Sequence, residues 1–299
     1  MKSCLVTGAT GFVGSSLSPA LEAAGFVVRQ SNQRLTDADW SQSLTGVSTV
    51  VHLAARVHIM HDRAADPMVE FRAVNVHGTL SLARQAAAAG VKRFVFLSSI
   101  KVNGEHTDIG SPFKAEQTPA PHDAYGISKH EAELGLRIIA AETGMQVVII
   151  RPPLIYGAGV KANFASLLRA VRLGVPLPLG LATHNRRSFV SLNNLVDFII
   201  TCINHPNAAN QTFLVSDNDD VSTADLLRRM AVALGVPARL IPVPLCVLNA
   251  GAELLSKADV VQRLLGNLQV DITKNKTLLG WMPPFTLQQG LKLMVNGKS

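Results

Sequence analysis

Short apolar runs alternate with longer alanine-rich stretches through the first half of the chain. Leu5-Val6, Phe26-Val27-Val28, Thr49-Val50-Val51, Phe94-Val95-Phe96-Leu97 and Val147-Val148-Ile149-Ile150 are too short for helices and show no polar alternation. They predict strands buried on both faces. Between them, residues 16–24, 74–89 and 128–143 predict helices. Gly25, Gly90 and Gly144 follow them, where a glycine closes a helix in the left-handed conformation without a Cβ penalty. Strand–helix alternation of this kind demands right-handed crossovers and gives an α/β fold with a doubly wound parallel sheet.

After Arg151 the texture changes. Prolines 152, 153, 176 and 178 and glycines 157, 159, 174 and 180 interrupt the pattern, with helices expected over Ala162–Arg172 and Thr223–Leu234. Residues 1–160 are expected to form the main domain. Residues 161–299 would form a smaller region that lies over the sheet edge and sends some segments back to it.

Composition supports a filled core: 47% of the 299 residues are hydrophobic and 16% charged. The net charge of +7 would suit nucleic acid, an acidic surface or a phosphorylated small molecule. The basic clusters are only pairs, Arg186-Arg187 and Arg228-Arg229, with no aromatics interleaved. Nucleic acid is therefore not expected, and an anionic nucleotide ligand is. Cys4, Cys202 and Cys246 lie far apart in apolar runs, which predicts buried reduced thiols. No metal is expected, because His58 and His61 lack the further ligands that would complete a set. With no signal peptide and no run of about twenty apolar residues, a cytoplasmic protein without a membrane span is expected.

Gly8-Ala9-Thr10-Gly11-Phe12-Val13-Gly14 follows the first strand and opens the first helix. One glycine makes the tight turn, a second lets the backbone approach a pyrophosphate, and a third lets helix and strand pack closely. The helix N-terminus then attracts the phosphate charge. This loop predicts a Rossmann-type dinucleotide site. The second strand runs into Arg29-Gln30-Ser31-Asn32-Gln33-Arg34, with no carboxylate before Asp37 to accept from a ribose 2′-hydroxyl. The expectation is NADP(H) over NAD(H), with Asn32 and Arg34, or else Arg29, at the adenosine end.

Tyr125-Gly126-Ile127-Ser128-Lys129 places a phenol and an ammonium at i and i+4 on one helix face. A phenol is a poor base at neutral pH, and a neighbouring ammonium favours its ionised form. Ser99, at the end of the Phe96-Leu97-Ser98-Ser99 strand, would share the proton of the reacting oxygen. Ser99, Tyr125 and Lys129 are the candidate catalytic residues, for hydride chemistry on a carbonyl or alcohol.

With these motifs in place the chain resembles the extended short-chain dehydrogenases/reductases, in the nucleotide-sugar branch that includes UDP-glucose 4-epimerase. The resemblance rests on the glycine loop, His52-Leu53-Ala54-Ala55, Asn75-Val76-His77-Gly78-Thr79, Leu97-Ser98-Ser99, Tyr125/Lys129 and Arg151-Pro152-Pro153-Leu154-Ile155-Tyr156-Gly157. Looser matches follow at Arg187-Ser188-Phe189-Val190 and Leu279-Gly280-Trp281-Met282-Pro283. It implies that Leu53, Ala54, Ala55, Asn75, Ser98 and Pro152 join Gly8, Thr10, Gly11, Phe12, Val13 and Gly14 around the cofactor. On the substrate side it implies Arg56, Ser99 and Lys101, with Asn163, Arg187 and, more weakly, Arg263 reaching a nucleotide diphosphate. A homodimer is the family habit.

Departures narrow the reading. Sugar-nucleotide 4,6-dehydratases carry Asp-Glu after this serine, whereas Ile100-Lys101 stand here, so dehydration is not expected. Asn103 and Asn193-Asn194 also replace residues usual in epimerases. The stretches 54–60 and 98–105 resemble a narrower group that reduces the 4-keto group of a UDP-2-acetamido-2,6-dideoxy-4-hexulose for bacterial surface polysaccharide (O-antigen). The first expectation is therefore a 4-ketoreductase. The alternatives are a UDP-sugar 4-epimerase holding NAD and a dinucleotide sensor without turnover, and the intact Ser99/Tyr125/Lys129 set argues against a sensor.

Overall fold

The structure, a computed structural model, describes residues 2–36, 38–57, 66–254 and 264–297. The five expected strands form β1 (Lys2–Thr7), β2 (Phe26–Ser31), β3 (Thr49–His52), β4 (Arg93–Leu97) and β5 (Gln146–Arg151). A short pair follows, β6 (Leu154–Tyr156) and β7 (Phe189–Ser191), and then β8 (Thr212–Leu214); two short helices, α2 (Ser41–Leu44) and α3 (Pro67–Phe71), flank β3. The main sheet is parallel throughout, in the order β2-β1-β3-β4-β5-β8. The strand order reverses between β1 and β3, which opens a crevice at the carboxyl ends of the strands, where such sheets bind ligands.

Alternate residues of each strand feed opposite layers, as the pleat requires. Cys4, Val6, Val148 and Ile150 pack on α1 (Gly14–Ala23) and α7 (Leu192–Asn204), through Leu17, Leu21, Leu195 and Phe198. Leu5, Val50, Phe94, Phe96 and Ile149 face the other layer, where α4 (Thr79–Ala88) and α5 (Ala124–Thr143) supply Leu82, Ala86, Leu136 and Ile139. Burial on both faces is why these strands are continuous apolar runs. A third cluster joins Tyr156, Phe164 and Phe189 to α6 (Ala162–Arg172), α8 (Thr223–Leu234) and the C-terminal helix Leu287–Val295.

Three expectations need correction. The stretch 74–89 is not one α-helix: a π-helix spans Arg72–Gly78 before α4 begins, after a short helix Pro67–Phe71 capped by Asp66. Helix α5 starts at Ala124 rather than at 128, because Asp123 caps it by accepting from the Gly126 amide at 2.7 Å. Cys4 and Cys202 are buried free thiols as expected, but Cys246 is exposed. Among the described residues no helix is long and apolar enough to cross a membrane.

Candidate active site

The glycine loop is built for close approach. Gly8, directly after β1, has a φ of +69°, and a Cβ there would lie 2.8 Å from the Ala54 nitrogen. A Cβ on Gly14 would lie 2.3 Å from the Gly8 carbonyl oxygen, so no larger residue fits where α1 starts. No side chain caps α1 and no acidic residue sits in its first turn. The Ser15 and Ser16 amides bond back to the Gly11 and Val13 carbonyls, and with no side-chain cap the positive dipole end of the helix faces the glycine loop, a cradle that fits a pyrophosphate. Thr7 links the loop to the stretch after β3, its carbonyl accepting from the Leu53 amide at 3.2 Å. Ala54 and Ala55 lie on this stretch.

Where the adenosine end is expected, Thr10 Oγ1 donates to Asn32 Oδ1 at 3.1 Å, joining the glycine loop to the residues after β2. Arg34 is exposed there. Arg29 is committed elsewhere, its guanidinium donating to the Ser43 and Thr45 carbonyls at 3.3 and 2.6 Å.

The structure brings Ser99, Tyr125 and Lys129 together. Tyr125, half-buried in the first turn of α5, shares a hydrogen bond with the Ser99 hydroxyl. Burial, aided by the Asp123 carboxylate, pushes the phenol up to about 12, and the Ser99 bond pulls the other way. Lys129 is buried, donates to the Leu97 carbonyl at 2.8 Å and lies 4.4 Å from the centre of the Phe96 ring. Desolvation brings its ammonium down to about 7, opposed by Glu133. Pro152 closes this floor: its carbonyl accepts from the Ile100 amide at 2.9 Å, tying the end of β5 to the residue after Ser99.

Two expected cofactor ligands are scaffold in their side chains instead. Both ends of the buried Asn75 amide are used inside the protein. Its Oδ1 accepts from the Arg56 amide at 2.8 Å, and its Nδ2 donates to the Arg56 carbonyl and Ser128 Oγ, both at 3.0 Å. Ser128 Oγ in turn donates to the Tyr125 carbonyl at 2.8 Å, so Asn75 braces the start of α5 from a π-helical turn. Ser98 directs its hydroxyl at Glu133 Oε1, 2.6 Å away.

Of the residues expected on the substrate side, Arg56 lies 5.6 Å from the Phe71 ring, which meets Tyr125 edge to face. Lys101 is paired with Asp123 and, at 3.1 Å, with Glu105. Asn163 is exposed in the first turn of α6. Arg187 is half-buried, donates to the Gly266 carbonyl at 3.3 Å, and has its pKa lowered by burial. Arg263 lies outside the described residues.

Sequence reasoning missed a buried polar network under the site. Arg151 forks onto both oxygens of Glu133, at 2.9 and 2.5 Å, and a third guanidinium bond reaches Asn103 Oδ1 at 2.9 Å. The signal was present as a third step in the i, i+4 series Tyr125, Lys129, Glu133. It also missed His52, held between Thr7 Oγ1 at 2.6 Å and Thr79 Oγ1 at 2.9 Å. Burial brings that imidazole down to about 3.

The family model of the NAD dependent epimerases and dehydratases matches residues 4–216. A UDP-glucose 4-epimerase of Vibrio cholerae is 50% identical to this chain, covering 97% of it and 94% of the relative. Among solved structures, UDP-N-acetylglucosamine 4-epimerase from Bacillus cereus covers 99% of both chains with a TM-score of 0.82 at 19% identity. RMD from Pseudomonas aeruginosa, complexed with NADPH, does so with a TM-score of 0.78 at 21% identity. These two likenesses establish the fold, a Rossmann-type α/β sheet. By the match over 4–216 and the 50% identity, the chain belongs to the NAD-dependent epimerase/dehydratase family.

Proposed function

We propose that the protein is a UDP-sugar 4-epimerase working with a nicotinamide dinucleotide. One observation carries this reading above the 4-ketoreductase the motifs alone favoured: a UDP-glucose 4-epimerase is half identical along nearly the whole chain. The residues that would hold the dinucleotide are Gly8, Gly11 to Gly14, Ala54, Ala55 and Pro152, and bound there it supplies a hydride acceptor and donor for C4 of the sugar.

Epimerisation needs a group that works in both directions. Tyr125, sharing its hydrogen bond with Ser99, takes the O4 proton as C4 is oxidised and returns it as C4 is reduced. Lys129, fixed beneath by Leu97 and Phe96, stabilises the phenolate while it carries no proton. No external reductant is consumed. Asn163 and Arg187 are the proposed diphosphate contacts, since a guanidinium fork matches paired phosphate oxygens. Exposed Leu134 and Ile138 on α5 support a homodimer through that helix.

A second reading, reduction of a UDP-2-acetamido-2,6-dideoxy-4-hexulose, draws on the stretches 54–60 and 98–105 and on exposed Arg34, which suits NADPH. Supplying UDP-glucose, UDP-N-acetylglucosamine and the 4-keto sugar separately, while following reduced nicotinamide and products, decides between them. Interconversion of C4 epimers without net coenzyme turnover supports the epimerase. Stoichiometric oxidation of NADPH by the keto sugar supports the reductase.

A further inference from the structure

Tyr125, Lys129 and Glu133 recur at four-residue intervals on α5, so they stand on one face about 6 Å apart along the axis. Glu133 is buried like Lys129, at 1% exposure each, and is pinned from two strands. Ser98 of the β4 end donates to one oxygen, and Arg151, the last residue of β5, grips both. Ser98 precedes the catalytic Ser99, and Arg151 precedes Pro152. Asn103 fixes the far side of the guanidinium, and its own Nδ2 donates to the Lys114 carbonyl at 3.0 Å. One carboxylate therefore sets the height and rotation of α5 against both strand ends that floor the site.

We propose that Glu133 is a positioning residue for the Tyr125/Lys129 pair, locking the register of α5 and supplying the negative charge that faces the Lys129 ammonium. This role deepens the catalytic reading above and rests on it. The groups around Lys129 are few. From β3 comes His52, neutral and stacked on Phe96; from β4 come the Leu97 carbonyl and the Phe96 ring; from α5 itself come Tyr125 and Glu133, with Arg137 3.8 Å from the Glu133 carboxylate on its outer side; and from β5 comes Arg151, whose charge is directed at Glu133. Glu133 is the anion of this set, and it raises the ionisation of Lys129 against the burial that lowers it.

The test uses the full chain labelled with 13C-lysine, with the Lys129 signal assigned by its loss in Lys129→Met. The Cε shift of Lys129 is followed against pH in wild type, Glu133→Gln and Glu133→Asp, without substrate. Removing the carboxylate should move the Lys129 midpoint down by about one pH unit, a tenfold change in ionisation, since a neighbouring opposite charge is worth about one to three units. The aspartate, which keeps the charge farther back, should move it down by less. An unchanged midpoint in the glutamine variant overturns the proposal. So does an upward one, because a merely structural loosening lets water reach the ammonium and raises it. If Glu133→Gln does not fold, the sign of the shift in Glu133→Asp decides in the same way. Turnover is read separately: loss of epimerisation in wild type with the shift intact would sink the proposed function and leave the role of Glu133 standing.

Discussion

The Lys129 ammonium donates to the Leu97 carbonyl at 2.8 Å while it lies 4.4 Å from the Phe96 ring centre, with almost none of its surface in water. A buried ammonium held by a carbonyl and a ring is an arrangement that costs stability, because desolvation is only partly offset. Replacing Lys129 with Met keeps the packing and removes the charge. Turnover should fall by about a hundredfold or more, the scale of a lost proton-transfer partner. The thermal midpoint should not fall with it, and calorimetry beside an activity assay checks both.

His52 gives the fold a defined acid weakness. Its folded pKa is depressed to about 3 by burial and by Lys129, against 6.5 in the unfolded chain. Between these values the unfolded state binds the extra proton, so stability should rise with pH there and be lost as pH falls from 6.5. The loss is at most about 1.4 kcal/mol per pH unit. Urea titrations at pH 7 and 5 should show the drop, and His52→Gln should flatten it.

Gly14 is expected to tolerate no side chain. Alanine there would place its Cβ 2.3 Å from the Gly8 carbonyl oxygen. Dinucleotide binding should be abolished and stability lowered by about 1–3 kcal/mol, the usual range for overpacking. Gly25→Ala is the control. Its φ is +84° but nothing lies within 4 Å, so it should cost about 1–2 kcal/mol of strain and leave binding intact. Quenching of reduced nicotinamide fluorescence reads the difference.

Arg34 is exposed just past β2, whereas Arg29 is bound to two backbone carbonyls. Arg34→Ala should therefore weaken NADP(H) about tenfold and leave NAD(H) nearly unchanged, as expected of a side chain that meets only a 2′-phosphate. Equal effects on both coenzymes would remove Arg34 from the adenosine site.

The five principal strands and the glycine loop were legible because their signals are local: apolar runs buried on both faces, and glycines where the backbone must turn or approach. The start of α5 was not, because the cap is Asp123, five residues before the expected start at 128. The π-helical turn at Arg72–Gly78 leaves the same apolar pattern as an ordinary helix, and the two hydrogen bonds that its Asn75 makes to the Arg56 backbone are tertiary. Asn75 and Ser98 carry the right motif, yet their side chains are spent on Ser128, Arg56 and Glu133. Only the packed structure shows which neighbours claim them. The Glu133–Arg151 pair, 18 residues apart in sequence, joins a helix to a strand: the i, i+4 step after Lys129 marks Glu133, but nothing local marks Arg151 as its partner.

The fate of the hydrogen at C4 separates epimerisation from reduction. Purified protein should be incubated with UDP-glucose, and separately UDP-N-acetylglucosamine, carrying deuterium at C4, and the products followed by NMR. Conversion of at least one of them to its C4 epimer with the deuterium kept at C4 is the expected result, with no net change in nicotinamide absorbance and no conversion by Tyr125→Phe. Absence of any epimer, with NADPH instead oxidised one-for-one by a UDP-4-keto-6-deoxy sugar, would contradict it.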